Sequence, residues 1–272
     1  MAASNEQHRS EMGTRRFGRI NWLGLYTLCQ RECRRFAAIP TQTVLAPLVT
    51  AGLFLLIFDV AFGEARGDVM GFDFVTFLAP GLMAMSVIQN SFANTSSSLI
   101  SAKINGNIVD TLMPPLSAGE LTVGYLVGGV GRGLAIALVL ILALRLVLGI
   151  PVAHPLAMLG FIVLGSAFMG ALGLLAAIQA QKFDQMSALT NFVVTPLAFL
   201  SGTFYSVTAL PPALETLTRF NPIFYAIDGM RWSVLGVSDS SPALSLAVLG
   251  FATTVLCVLT WLGFRTGYRL KP

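Results

Sequence analysis

The sequence predicts an all-α integral membrane protein: six transmembrane helices, an N-terminal interfacial amphipathic helix, and a re-entrant or interfacial helical hairpin before the last helix. Three observations predict it. Of 272 residues, 55% are hydrophobic and 11% charged, against roughly 25% charged in a soluble domain. Six apolar runs come close to the about 20 residues that cross a bilayer. The basic residues also segregate between alternate connections, as membrane topology demands. The same numbers exclude intrinsic disorder and a disulfide-stapled secreted module. Cys29, Cys33 and Cys257 form no C-x-x-C pair and no metal framework.

Residues 1–19 are polar and basic, without the apolar core of a signal peptide, and read as a cytoplasmic tail. Over 20–37, Trp22, Leu25, Cys29, Cys33 and Phe36 recur at spacings of three and four, with Gln30, Arg31, Arg34 and Arg35 on the other side. That predicts a helix on the inner leaflet with its arginines toward headgroups and water. Spans follow at about 41–62, 74–92, 121–148, 156–180, 186–205 and 243–264. The first contains Pro47, which a membrane helix tolerates. The third places Arg132 near one end and Arg145 near the other, so that both can snorkel to an interface.

With the N-terminus inside, one side holds thirteen basic residues: seven N-terminal arginines, Lys103, Arg132, Lys182, Arg265, Arg269 and Lys271. The other holds Arg66, Arg145, Arg219 and Arg231. Both termini are therefore expected in the cytoplasm. In this setting the net charge of +4 marks cytoplasmic loops rather than a nucleic-acid partner.

Catalytic chemistry is sparse. Lys103, Lys182 and Lys271 are followed by Ile, Phe and Pro, so no P-loop exists, and His8 and His154 stand far apart. With these boundaries no ionisable residue lies deep in a span, which disfavours a proton or ion relay. The chain reads as a conduit powered from elsewhere, with no catalytic, cofactor or metal residues of its own.

Two segments carry more. The cytoplasmic loop 94–118 mixes Lys103, Asn105, Asn107 and Asp110 with Ile104, Ile108 and Leu112 at a period of four, ending at Pro114-Pro115. It suits either a helix docking into a partner's groove or a surface helix on the inner leaflet. The outer segment 206–241 has two helix-length stretches, 208–220 and 223–235, separated by Asn221-Pro222, with Glu215 and Arg219 at i,i+4 and Asp228 and Arg231 at i,i+3. It reads as a hairpin either dipping into the outer leaflet or lying flat on it. Gly124, Gly128, Gly129 and Gly133 in the third span, with Ser166, Gly170, Ala167 and Ala171 in the fourth, allow close helix approach, more simply within one chain than between two.

The run Phe199-Leu200-Ser201-Gly202-Thr203-Phe204-Tyr205, then Leu210-Pro211 and Asn221-Pro222 with Tyr225, Asp228, Gly229 and Arg231, resembles the C-terminal signature of ABC-2 type permeases. These are membrane subunits of ATP-binding-cassette exporters for drugs, lipo-oligosaccharides and polysaccharides. Leu112-Met113-Pro114-Pro115-Leu116, then Gly124-Tyr125-Leu126 and Arg132-Gly133, is similar to that family's entry into its third span. The resemblance covers nearly the whole chain as one domain. It implies a second permease copy, a homodimer, and a separate nucleotide-binding subunit that holds ATP and Mg. By position it implies coupling through Arg31, Arg34, Arg35, Lys103, Asn105, Asn107 and Asp110. It places an outer gate at Phe204, Tyr205, Glu215, Arg219, Tyr225, Asp228 and Arg231. The expected function is export of an amphipathic or lipid-linked molecule across a bacterial inner membrane. The alternatives are an ion-coupled carrier or channel, and a non-transporting membrane scaffold.

Overall fold

A computed structural model describes residues 20–62 and 67–270. The predicted tail 1–19, Glu64, Arg66 and Lys271 lie outside them. Every long element in the described residues is helical. The interfacial stretch is α1 (Trp22–Ala37), N-capped by the Asn21 side chain, which accepts from the Gly24 N–H. A π-helical turn (Thr41–Leu45) leads into α2 (Ala46–Phe62). Then come α3 (Phe74–Ile104), the short α4 (Ile108–Leu112), α5 (Ala118–Leu148) and α6 (Pro155–Gln179). Capping chemistry sets several ends. Asp73 accepts the Thr76 N–H at the start of α3, Ser117 and Glu120 form a reciprocal capping box on α5, and Gly149 ends α5 with φ 66°.

Five helices are long and apolar enough to cross a membrane: Thr41–Ala61, α3, α5, α6 and the last helix, α11 (Pro242–Thr266). The stretch expected as a span over 186–205 is instead a rod in three pieces: α7 (Phe183–Leu189), a π turn (Thr190–Val194) and α8 (Thr195–Leu200). Both π turns precede a proline, Pro47 and Pro196. A proline ring collides with the carbonyl four residues back, and widening the preceding turn relieves that collision.

Three other boundaries move. The second span continues to Ile104, so Asn94 to Ser98 are helix rather than loop, and Asn94, Thr95, Ser96 and Ser98 are buried. Two of these hydroxyls are satisfied at close helix contacts: Thr95 Oγ1 donates to Gly170 O at 2.8 Å, and Ser98 Oγ to Glu32 Oε1 at 2.9 Å. The third span begins at Ala118, which puts Arg132 near its midpoint and buries it, rather than near an end. The Ile104, Ile108, Leu112 repeat does not lie on one helix, because Asn105 to Asn107 turn between α3 and α4, with Gly106 at φ 74°.

Helices α3 and α6 form the centre, while α2 and α11 lie at the periphery and stay largely exposed. The glycine pattern serves packing within the chain. Gly124 and Gly128 face Leu28 and Glu32 of α1, while Gly129 and Gly133 face Thr95, Ser91 and Ser166 on α3 and α6. These contacts run in step along both helices, so α1 stands alongside the first turns of α5. Its buried stripe is Leu28 and Glu32, with Trp22 exposed, not the Trp22-Leu25-Cys29-Cys33 stripe expected from the sequence.

Before α11, a 3-10 turn (Val207–Ala209) is followed by α9 (Pro212–Arg219) and α10 (Pro222–Leu235). The first of the two expected hairpin helices is thus confined to α9. The second, α10, is buried between α3, α6 and α11 rather than lying flat as a surface helix.

Candidate functional site

Chain direction divides the described residues between two ends. One, the α1 end, gathers α1, the last turns of α3, α6 and α11, and α4. Lys103 Nζ donates there to the carbonyls of Ala177, Ile178 and Ala180 at 2.9, 2.8 and 2.6 Å, capping α6. Glu120 joins two helix starts by accepting the Asn21 and Ser117 N–H groups, each at 2.5 Å.

The hub of this end is Glu32, fully buried on α1. Oε1 accepts from Arg31 Nη2 at 3.0 Å, and Arg35 Nε lies 3.4 Å from Oε2. Arg31 continues to Thr111 Oγ1 at 2.8 Å and Tyr125 Oη at 3.3 Å. Arg35 continues to Ser97 Oγ at 3.1 Å, to Asn94 Oδ1 at 2.9 Å and to the Asn94 carbonyl. Arg31 and Arg35 are thus structural ties from α1 to α3, α4 and α5, while Arg34 is exposed. Glu32 itself carried one sequence signal, a lone acid within the basic run Arg31 to Arg35.

Asn105, Asn107 and Asp110 are exposed, while Lys103 is half-buried on the α6 carbonyls. Asp110 borders a cleft of ≈ 330 Å³ between the first turns of α1 and the segment Thr111 to Leu116. Of the residues lining or flanking it, Leu23 on one side and Val109 and Met113, the chain neighbours of Asp110 and Pro114, on the other are exposed apolar side chains, of the kind that mark interaction surfaces.

The opposite end holds the residues assigned to an outer gate. Ser201 Oγ and Thr203 Oγ1 donate back to Leu197 O and Ala198 O at 2.5 and 2.9 Å, closing α8. Asn221 Nδ2 donates to Ser201 Oγ at 2.8 Å, and its side chain caps α10. Phe204 stacks on Phe199 with centroids 5.3 Å apart and meets Phe54 and Phe58 of α2. Tyr205 Oη donates to Leu200 O at 2.9 Å and Tyr225 Oη to Arg219 O at 2.9 Å. Glu215 and Arg219 form the expected pair, at 2.8 Å.

Asp228 and Arg231 do not pair directly. Arg231, fully buried, donates from Nη2 to Gly202 O at 2.5 Å, lies over the Phe77 ring at 4.2 Å and has Nη1 4.0 Å from Asp239 Oδ2. Asp228 accepts the N–H groups of Asp239 and Ser240 at 2.8 and 3.0 Å. Asp239, unnoticed in the sequence, accepts the Val207 N–H at 3.0 Å and the Ser206 hydroxyl. Three charges therefore bind the end of α8 and the loop after α10 to α3.

Burial pushes the Asp228 carboxyl up to about 6, against the Asp239 N–H and the Arg231 charge, which pull it down. A carboxyl raised on folding favours the folded state most when protonated. Its contribution is complete below the unfolded value of 3.8 and lost as pH rises through about 6. Asp228→Asn is expected to flatten the pH dependence of thermal unfolding in detergent over that window, by up to about 1.4 kcal/mol per pH unit. Matching slopes in both proteins would count against this account.

The family model described as ABC-2 type transporter matches residues 24–235, from the third residue of α1 to the end of α10. The chain belongs to the ABC-2 type transporter family. It is 35% identical over 253 residues to inner membrane transport permease YadH of Escherichia coli (strain K12), covering 93% of this chain and 98% of that one. It is 24% identical over 242 residues to nodulation protein J of Rhizobium leguminosarum bv. viciae, covering 85% and 89%. As an ABC-2 family member, the chain closes the family's C-terminal motif residues on one another. Ser201, Thr203, Asn221 and Tyr225 all spend their polar atoms finishing α8, α9 and α10.

Proposed function

We propose that this chain is the transport permease subunit of an ATP-binding-cassette exporter, a multi-pass inner-membrane protein that moves an amphipathic or lipid-linked molecule outward. The energy comes from a separate ATPase subunit, which holds the ATP and Mg, while this chain contributes no catalytic residue. Family membership and the names of its relatives support the transport role. The observation that carries the coupling assignment is the cleft between α1 and the segment Thr111 to Leu116, bordered by Asp110 and Leu23 and flanked in the chain by exposed Val109 and Met113. Arg31, bonded to Tyr125, and Glu120, bonded to the Asn21 N–H, tie α1 beside this cleft to α5, so a push there is transmitted to a spanning helix as a rigid shift.

In this reading the α1 end faces the cytoplasm, consistent with Lys103, Arg265 and Arg269 there and with Arg219 and Arg231 at the other end. Two permease copies assemble with the ATPase subunits, and the segment Phe204 to Arg231 closes the exit. The experiment is co-purification from the native membrane. Wild-type chain is expected to retain an ATP-binding subunit, and Met113→Glu with Asp110→Arg to lose it while keeping its own thermal midpoint. Retention by that variant would refute the coupling surface. Transport that survives ATP depletion but stops when the proton gradient collapses would refute the exporter.

A further inference from the structure

Arg132 lies near the middle of α5 and is 8% exposed. Nη2 donates to Asn90 Oδ1 at 2.8 Å, but Nε has no hydrogen-bond partner. Among the described residues no carboxylate lies within ion-pair distance of it. Next to it stands a second orphan. Asn94 is fully buried, its Oδ1 is taken by Arg35, and its Nδ2 has no acceptor. Asn90 and Asn94 are one turn apart on α3, as Gly128 and Arg132 are on α5. A Cβ placed on Gly128 would sit 3.2 Å from Asn94 Nδ2, so both orphan donors lie between α3 and α5, about one helical turn apart.

The local charge does not balance. Arg31, Arg35 and Arg132 are set against Glu32 alone. A buried cation such as Arg132 is costly unless paired, and unpartnered buried donors call for an acceptor. Depth indicates which acceptor. Helices α3 and α5 have 31 residues each, about 46 Å at 1.5 Å per residue, against a hydrocarbon core of about 30 Å. Counting about 20 residues from Phe74 and from Leu148 reaches Ala93 and Gly129, so the orphan donors stand at the hydrocarbon boundary on the α1 side. Lipid phosphates lie at that level, and guanidinium groups bind phosphate oxygens with paired N–H donors. Arg35, one-third exposed, leaves the cluster open to that side.

We infer that Arg132, Arg35 and Asn94 bind the phosphate group of an amphipathic lipid. This site does not depend on the transport reading, and its test involves neither ATP nor cargo movement. Full-length protein in a maltoside detergent is titrated with phosphatidylglycerol, with diacylglycerol and with inorganic phosphate, and bound molecules are counted by native mass spectrometry. Wild type is expected to hold one phosphatidylglycerol per chain. Arg132→Gln should weaken it at least tenfold, while Arg145→Gln, at the other end of α5, leaves it unchanged.

Asn94→Asp guards against a variant that simply misfolds, since it supplies the missing carboxylate internally. It is expected to raise the thermal midpoint and to abolish lipid binding. Displacement of the lipid by inorganic phosphate supports the site and identifies it as a reader of the free anion. Failure to displace supports a site that needs the lipid. Diacylglycerol binding as tightly as phosphatidylglycerol, or Asn94→Asp binding it like wild type, overturns the inference.

Discussion

Glu32→Ala is expected to be among the more damaging single changes in the chain, costing about 1.5–3 kcal/mol, the range for losing hydrogen bonds to a buried charged acceptor whose cationic partners stay partly solvated. Glu32 is fully buried, and Arg31, Arg35 and Ser98 all bond to it. Without it, Arg31 and Arg35 lose their shared carboxylate, and α1 loses the Ser98 bond to α3, keeping only the contacts of Arg35 with Ser97 and Asn94. Glu32→Gln keeps an acceptor for Ser98 and the shape of the contact, so it should recover part of the loss. Arg31→Ala should cost less, because that side chain is 46% exposed. Thermal unfolding of the three variants in detergent checks the order. A Glu32→Ala midpoint equal to that of Arg31→Ala would show that the hub is dispensable.

Arg231→Ala is the counterpart at the opposite end, with an expected cost of about 3–5 kcal/mol, the range for breaking a buried pair by removing one partner. Its removal leaves Asp228 and Asp239 facing each other across a dry space, with the Gly202 carbonyl unpaired. Arg231→Lys should not rescue it, since an ammonium cannot lie flat over Phe77 while also reaching Gly202 and Asp239. Asp239→Ala alone should also destabilise, and the double variant should fall short of the sum by about 0.5–3 kcal/mol, as expected within one network. Additive losses would separate Arg231 from Asp239.

Much of the fold was legible in the sequence, because burial in lipid leaves a coarse record. Apolar runs near α2, α3, α5, α6 and α11 form helices long and apolar enough to cross a membrane, and Asn221-Pro222, Ser241-Pro242 and Gly149 mark ends that the backbone respects. The misread stretches share one cause. Asn94 to Ser98 looked like loop because they are polar, and Arg132 looked terminal because it is charged. Yet polar side chains sit inside a helix bundle when a facing glycine or carbonyl receives them, as Gly129, Gly170 and Gly173 receive Thr95. The stretch 186–205 looked like a span because it is apolar, but its helical run covers 183–200, with a π turn before Pro196, and ends at the turn that begins at Ser201.

By itself, the sequence determined that this protein resides in a membrane, roughly where its helices run, and which family it resembles. Those properties follow from composition, from periodicity along single segments and from motifs that survive divergence. Only the tertiary structure decided which charges meet: Glu32 with Arg31 and Arg35, Asp239 with Arg231, Lys103 with the end of α6, and Arg132 with no carboxylate among the described residues. Periodicity tells which residues share a face of one helix. Pairing depends on which faces of different helices are pressed together, and the partners here lie as far apart in the chain as Arg31 and Thr111 or Lys103 and Ala180.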